Sequence, residues 1–272
     1  MTPTLAPTLG VVGLGRMAQA LLHPWLEQQL IAPQRVSAVV ASAASADRLA
    51  AALPIAVSTD GQRAWSAEVV LLAVKPQQLQ AVATQAAAAP GGEGRLLISV
   101  LAGVTLARLE AAFKGWRCVR AVPNTPALVR CGLTGLAYGA GVEPAEQQWI
   151  AQLFAAVGEV LSLPEAQLDA FLALTSSGPA FVALVAEAMA DGAVAAGLPR
   201  DLALRLAPQT LAGTAQLLLQ QELHPAQLKD MVSSPGGTTI AGLRALERGK
   251  LRSSLIEAVL AAAQRSRELA GC

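Results

Sequence analysis

The stretch Leu9-Gly10-Val11-Val12-Gly13-Leu14-Gly15-Arg16-Met17-Ala18 decides how the rest of the chain is read. Its first residues form a short apolar run, as in a buried strand. From Met17 the apolar residues recur at Leu21, Leu22, Trp25 and Leu26, which is the spacing of a helix face. Between strand and helix stands Gly13-x-Gly15-x-x-Ala18. In such a turn the first glycine allows the tight bend, the second lets a pyrophosphate reach the backbone, and the small third residue lets helix and sheet pack closely. A dinucleotide-binding βαβ unit is therefore expected at the N-terminus.

Moving outward, residues 36–41 (VSAVVA) predict the second strand. A sheet of this type that selects NAD carries Asp or Glu at the end of that strand for the ribose diol. None is there: the tip reads Ala41-Ser42-Ala43-Ala44-Ser45, and the nearest acids are Glu27 and Asp47. Ser42, Ser45 and Arg48 are candidates to hold a 2′-phosphate, so NADP(H) is favoured and NAD(H) stays open. Arg48 reads equally as a solvated charge on the next helix. Residues 68–74, 95–100 and 116–122 predict further strands, separated by helices over 77–88 and 106–113. Alternation of this kind gives a doubly wound sheet with its ligands beyond the carboxyl ends of the strands. Lys75-Pro76 and Pro123-Asn124-Thr125-Pro126 fall at such ends. Taken alone, Lys75 reads equally as a turn cation and Asn124 as a turn residue.

From Glu165 onward the pattern is helical, over 168–174, 179–197, 201–221 and 253–269. The fold class expected is α/β, a Rossmann-type doubly wound sheet over 1–163 followed by an all-α domain over 164–272. Residues 181–197 are apolar around most of the helix, which predicts a buried helix at a subunit interface. Glu187 and Asp191 on that helix read as a structural pair. Within 228–247, a polar loop Ser233-Ser234-Pro235-Gly236-Gly237-Thr238-Thr239 separates two short helices. The free N–H groups where the second begins suit a small carboxylate, although an ordinary helix-helix turn has the same composition.

The chain is 53% hydrophobic and 14% charged with mean hydropathy +0.46, greasy for a monomer, yet no run approaches the roughly 18 uninterrupted apolar residues of a membrane span. Net charge is +1 without a basic run, which argues against a nucleic-acid partner. The opening MTPTLAPT has neither a charged region nor an apolar core, so a cytoplasmic protein is expected. Cys118, Cys131 and Cys272 show no CxxC spacing, and His23 and His224 are the only histidines, so neither a disulfide framework nor a metal centre is expected. His23-Pro24 reads as a kink in the first helix and His224-Pro225 as a helix start.

The segments LGVVGLGRMAQALL, LLAVKPQ, ISVLAGV, VRAVPNTPA, SSGPAF, DGAVAAGLPR and SSPGGTTI together resemble the pyrroline-5-carboxylate reductases, which make L-proline from a cyclic imine. The resemblance covers almost the whole chain. It implies hydride transfer from NADP(H) or NAD(H) to 1-pyrroline-5-carboxylate, in a homodimer that assembles or not into a larger homo-oligomer. It implies cofactor contacts from Gly13, Gly15, Arg16, Met17, Ala73, Val74, Lys75, Pro76, Asn124 and Ser177; Ser42 and Arg48 join them from the reading of the second strand's tip, where many relatives carry a more polar set. Substrate contacts would come from Ser234, Gly236, Gly237, Thr238 and Thr239. Thr239 is implied as the hydroxyl aimed at the ring nitrogen, with Lys75 the second catalytic candidate. Where relatives often carry Asn, this chain has Met231. A β-hydroxyacid dehydrogenase is the enzymatic rival, but it wants a catalytic lysine in its helical domain, and Lys229 and Lys250 sit in no such motif. A non-enzymatic NADP sensor is the other. The missing acid after the second strand predicts that NADPH serves at least as well as NADH; parallel kinetics with both check it, and a strong NADH preference would refute the reading of Ser42 to Arg48.

Overall fold

The computed structural model describes residues 7–89 and 94–270; residues 1–6 of the tail and Cys272 lie outside them. The chain forms two compact units, Met1–Ser176 with Ala263–Cys272, and Ser177–Ala262. In chain order the first unit runs β1 (Leu9–Val12), α1 (Arg16–Glu27), β2 (Val36–Val39), α2 (Ala43–Ala52), β3 (Ala56–Ser58), α3 (Gln62–Trp65), β4 (Val69–Leu72) and α4 (Leu79–Ala88). It continues with β5 (Leu96–Ser99), α5 (Leu106–Ala112), β6 (Arg117–Val122), β7 (Gly132–Tyr138), α6 (Pro144–Ala155), β8 (Gly158–Ser162) and α7 (Leu168–Thr175). The expected kink residue, Pro24, lies inside α1.

The strands form one sheet in the order β3-β2-β1-β4-β5-β6-β7-β8. Neighbours pair in parallel except β6 with β7, and Val11 of β1 stands between Ala38 of β2 and Leu71 of β4. Strand order reverses at β1 and β4, the place where sheets of this class bind ligands. Helices cover both faces, which is why β1, β2, β4 and β5 are buried at every position. On one face α1 meets α6: Trp25 contacts Phe154 edge-on at 5.7 Å and its Nε1 donates to the Leu153 carbonyl at 2.6 Å. On the other, Trp65, Phe113 and Trp116 form a ring cluster beside α4 and α5. Cys118 is buried there, and desolvation pushes its thiol up to about 12, so it is no nucleophile at neutral pH.

The sequence reading did not anticipate β3, β7, β8 or α6, and it put the domain boundary at 163/164. The compact units divide after Ser176. The reason is a buried cation. Arg120 on β6 is 1% exposed and donates to Glu165 Oε1 at 3.2 Å and to Asp169 Oδ1 at 3.3 Å. The Ser266 hydroxyl donates to the same Asp169 oxygen at 2.7 Å, and the Leu106 N–H to Glu165 Oε1 at 2.7 Å. A charge this deep persists only when paired, so α7 and the last turns of the final helix belong with the sheet.

The second unit holds α8 (Gly178–Ala195), α9 (Arg200–Gln220), α10 (Pro225–Met231), α11 (Thr238–Arg248) and the start of α12 (Leu251–Ala270). Helices α8 and α9 meet through Ala190, Ala203 and Ala207, whose small side chains permit close approach. Within one chain α8 is not the buried helix its composition suggests: only Ala190 is buried, while Val182, Leu184 and Met189 are exposed. By length and composition Glu165–Ala195 also qualifies as a membrane span, with mean hydropathy 1.6, although the break at Ser176 and Ser177 divides it into two helices. Asp191 pairs with Arg200 and not with Glu187.

Removing the Arg120 guanidinium leaves two carboxylates in a partly buried site. Arg120→Leu is expected to cost about 3 kcal/mol of unfolding free energy, read from urea denaturation midpoints. A cost under about 1 kcal/mol, the range of an exposed pair, would contradict the cluster's structural role.

Candidate functional site

In the first unit, an open cleft of about 920 Å³ lies at the carboxyl ends of β1, β2, β3 and β4. Its wall includes Val12, Gly13, Val39, Ala41, Asp60, Gly61, and from the other side Ala73, Val74, Lys75, Gln78 and Val82. Gly13 takes φ +87°, and a Cβ there would stand 2.8 Å from the Ala73 carbonyl oxygen and 2.8 Å from Val74 Cγ1. Only glycine fits, because the backbone is left-handed and the gap is closed on the far side. Gly15, in contrast, faces open space: a Cβ would meet nothing within 4 Å. It is the N-cap of α1 and supplies no side-chain cap, so the first N–H groups of the helix, from Arg16 and Met17 onward, are free for an anion. These features fit a dinucleotide with its pyrophosphate over Gly15.

The sequence-expected residues divide into three groups. Gly13, Ala73, Val74 and Lys75 line the cleft, with Pro76 next to them starting a 3₁₀ turn. The Lys75 backbone N–H donates to Gln78 Oε1 at 3.2 Å, and its exposed ammonium has no partner among the described residues. Ser42 and Arg48 are absent from the wall. The Ser42 hydroxyl caps α2, accepting from the Ser45 N–H at 3.3 Å and donating to Ser45 Oγ at 3.0 Å. Asn124 is 4% exposed and both ends of its amide are engaged: Nδ2 donates to the Thr175 carbonyl at 2.9 Å, and Oδ1 accepts from the Leu133 N–H at 2.8 Å. Its side chain shapes the turn after β6.

Sequence reasoning missed the outer half of the cleft, where Thr59, Asp60, Gly61, Gln62, Trp65 and Gln85 stand. Asp60 matters because the acid sought at the end of β2 is absent. In the β2/β3 register Val39 pairs with Ser58, so a carboxylate two residues past Ser58 lies one strand away from Ala41. No motif marks it.

In the second unit the loop between α10 and α11 has the expected form. The His224 Nδ1 accepts from the Ala226 N–H at 3.2 Å and starts α10. The Gly237 N–H donates to the Ser234 carbonyl at 3.0 Å, closing a turn in which Gly236 takes φ +68°. Gly237 is the N-cap of α11, an 11-residue helix, without a side-chain cap. A Cβ on Gly237 would stand 2.2 Å from Ser234 Oγ, so the glycine is what lets that hydroxyl lie against the helix start. The hydroxyls of Ser234, Thr238 and Thr239 have no protein partner among the described residues, whereas Ser233 Oγ donates to the Lys229 carbonyl at 2.7 Å. Met231 is 69% exposed, so the position holds no buried hydrogen bond. Ser177 is the N-cap of α8, again without a side-chain bond. Among the described residues no three His, Cys, Asp or Glu side chains are grouped to hold a metal ion.

Known proteins share this arrangement. The family model for pyrroline-5-carboxylate reductase dimerisation matches residues 165–269, and that for NADP oxidoreductase, coenzyme F420-dependent, matches residues 8–103. A pyrroline-5-carboxylate reductase of Synechocystis is 47% identical over 263 residues, 96% of this chain and 97% of the relative. One from Arabidopsis thaliana is 39% identical over 262 residues, 96% and 95% of the two chains. Among solved structures, the Coxiella burnetii pyrroline-5-carboxylate reductase superposes with TM-score 0.88 at 34% identity, covering 97% of this chain and 98% of that one. The Plasmodium falciparum pyrroline carboxylate reductase, solved with NADP bound, gives 0.88 at 27% identity over 98% and 99%. With near full-length identity of this order, and with both the nucleotide turn and the Ser-Pro-Gly-Gly-Thr-Thr loop in place, the chain belongs to the pyrroline-5-carboxylate reductase family.

Proposed function

We propose that the chain reduces 1-pyrroline-5-carboxylate to L-proline with NADPH, accepting NADH as well, and that the loop between α10 and α11 holds the imino acid. The observation that carries this reading is the glycine-built start of α11, with three hydroxyls free of protein partners around uncapped N–H groups. A small anion is recognised by such N–H groups, and a ring nitrogen next to the carboxylate carbon is within the span of one residue. The substrate carboxylate is assigned to Ser234 Oγ and the N–H groups of Gly236 and Thr238, with Gly237, whose own N–H closes the turn, leaving room for its approach. Thr239 is assigned to the ring nitrogen.

When bound, the reduced nicotinamide supplies a hydride to the imine carbon, and the ring nitrogen carries or gains one proton. The chain's part is to hold and polarise. The Thr239 hydroxyl bonds the nitrogen as its charge changes, and it or a water relays the proton. Neither Cys118, buried and held as a thiol, nor a histidine stands in the motifs. Gly13, Gly15 and the first N–H groups of α1 would hold the pyrophosphate, and Ala73 and Val74, with Pro76 next to them, would border the cofactor. Lys75 brings the ammonium that offsets its negative charge. Ser42 and Arg48 meet the 2′-phosphate only if the cofactor extends past Ala41 to the start of α2. Asn124 fixes the turn after β6, and Ser177 starts α8. The exposed apolar residues of α8, with Leu204 and Leu206 of α9, are covered by the same unit of a second copy in a homodimer.

Thr239→Ala removes one hydrogen bond to a partly charged centre, about 1.5–3 kcal/mol, and is expected to lower kcat/KM roughly 10- to 150-fold. Cofactor affinity should stay near that of the parent enzyme, and a kcat/KM within about twofold of the parent value would refute the assignment. Gly237→Ala pushes Ser234 Oγ aside, so KM for the imino acid should rise roughly fivefold with kcat little changed. If the loop is only a turn, both substitutions will shift Tm and leave the kinetics of the folded enzyme alone.

A further inference from the structure

We propose that Trp65 is a cofactor-binding residue, its indole N–H donating to a ring-nitrogen acceptor on the adenine of the dinucleotide. The proposal rests on reading the cleft as the nucleotide site. Trp65 lines that cleft and is 1% exposed, and its Nε1 is fully buried without a hydrogen-bond partner. Its backbone carbonyl, by contrast, accepts from Arg95 Nη1. Buried tryptophans ordinarily find a partner for the indole N–H, and an orphan calls for one.

The ring is fixed in place. Phe113 stacks on it at 6.0 Å and 29°, and Trp116 meets it edge-on at 6.2 Å and 83°, so the N–H cannot turn elsewhere without dismantling the ring cluster. The polar edge faces Gly61. A Cβ built on Gly61 would stand 3.0 Å from Trp65 Cδ1 and 3.2 Å from Nε1, with Val39 Cγ2 at 3.6 Å. Gly61 itself borders the cleft, so a backbone carrying no side chain lies over the orphan donor.

The position within the cleft selects the adenine. The pyrophosphate belongs over Gly15, and the first βαβ half of such a sheet takes the adenosine part. Trp65 and Gly61 stand in that half, with Ala41, Thr59 and Asp60 on the same wall, and Gln78, just before α4, and Val82 of α4 on the other. Val39 and Val82 give apolar contact for a purine face, while the ring nitrogens of adenine are acceptors. The proposal requires the Gly61 backbone to move aside as the acceptor reaches Nε1.

Trp65→Phe removes the donor, and titration calorimetry with adenosine 2′,5′-bisphosphate and with NADPH reads the effect. Both dissociation constants should rise by a similar factor, roughly five- to tenfold, as expected for one hydrogen bond. 3-Benzothienylalanine in place of Trp65 keeps the ring shape and lacks the N–H. It should show the same loss, and it decides the matter if Trp65→Phe fails to fold. Unchanged affinity for both ligands overturns the proposal, as does a loss confined to NADPH, because the donor would then not serve the adenosine end. Failure of the parent enzyme to bind the bisphosphate while it still binds NADPH overturns the reading of the cleft itself, and the role of Trp65 with it.

Discussion

The closure of β1 against β4 at Gly13 is the constraint on which the nucleotide-binding unit depends. The Gly13 N–H donates to the Val39 carbonyl of β2 at 3.0 Å, and the Ala73 N–H donates to the Val12 carbonyl at 2.8 Å. Between these two bonds the Gly13 Cα abuts the Ala73 carbonyl so closely that no side chain fits. The chain therefore turns upward at the point where strand order reverses, and the cleft opens above it. A larger residue would wedge β1 from β4, loosening the sheet and lifting the turn into the space a pyrophosphate needs. One glycine thus serves the packing of the sheet and leaves the cleft open above it.

Much of this was legible in the sequence because the signals are local. Gly13, Gly15 and Ala18 act within one turn, and the apolar runs of β2, β4, β5 and β6 reflect burial on both faces. What was not legible depends on distant partners. The Ala56–Ser58 strand is three residues long and half exposed, so it has no periodicity to read. The Gly132–Tyr138 strand contains two glycines and returns antiparallel after a 3₁₀ turn, which the pattern of alternating strands and helices gave no reason to expect. Arg120 looks like a surface charge until Glu165 and Asp169 arrive from far along the chain. Asp60 and Trp65 belong to no motif, and only the folding of β3 beside β2 brings them to the cleft.

The candidate site was legible in type more than in detail. The polar loop before α11 has the geometry its composition implies, because Gly236, Gly237 and the hydroxyls around them act within a few residues. Asn124 shows the limit of motif reasoning. Its side chain is buried and engaged on both sides, holding the turn after β6 to the end of α7. A residue that carries a motif can serve a site by fixing a backbone instead of touching a ligand. The apolar circumference of α8 shows a second limit. Composition says that such a helix must be covered, yet Ala190 is the one buried residue that α8 shows.

The central claim is that nucleotide cleft and α11 loop serve one reaction, reduction of a cyclic imino acid. The most direct measurement adds 1-pyrroline-5-carboxylate to the protein with NADPH and follows absorbance loss and proline together. The account predicts one proline formed for each NADPH oxidised, with no oxidation when the imino acid is left out. NADPH bound but not oxidised in the presence of the imino acid, or oxidised without proline appearing, would contradict it.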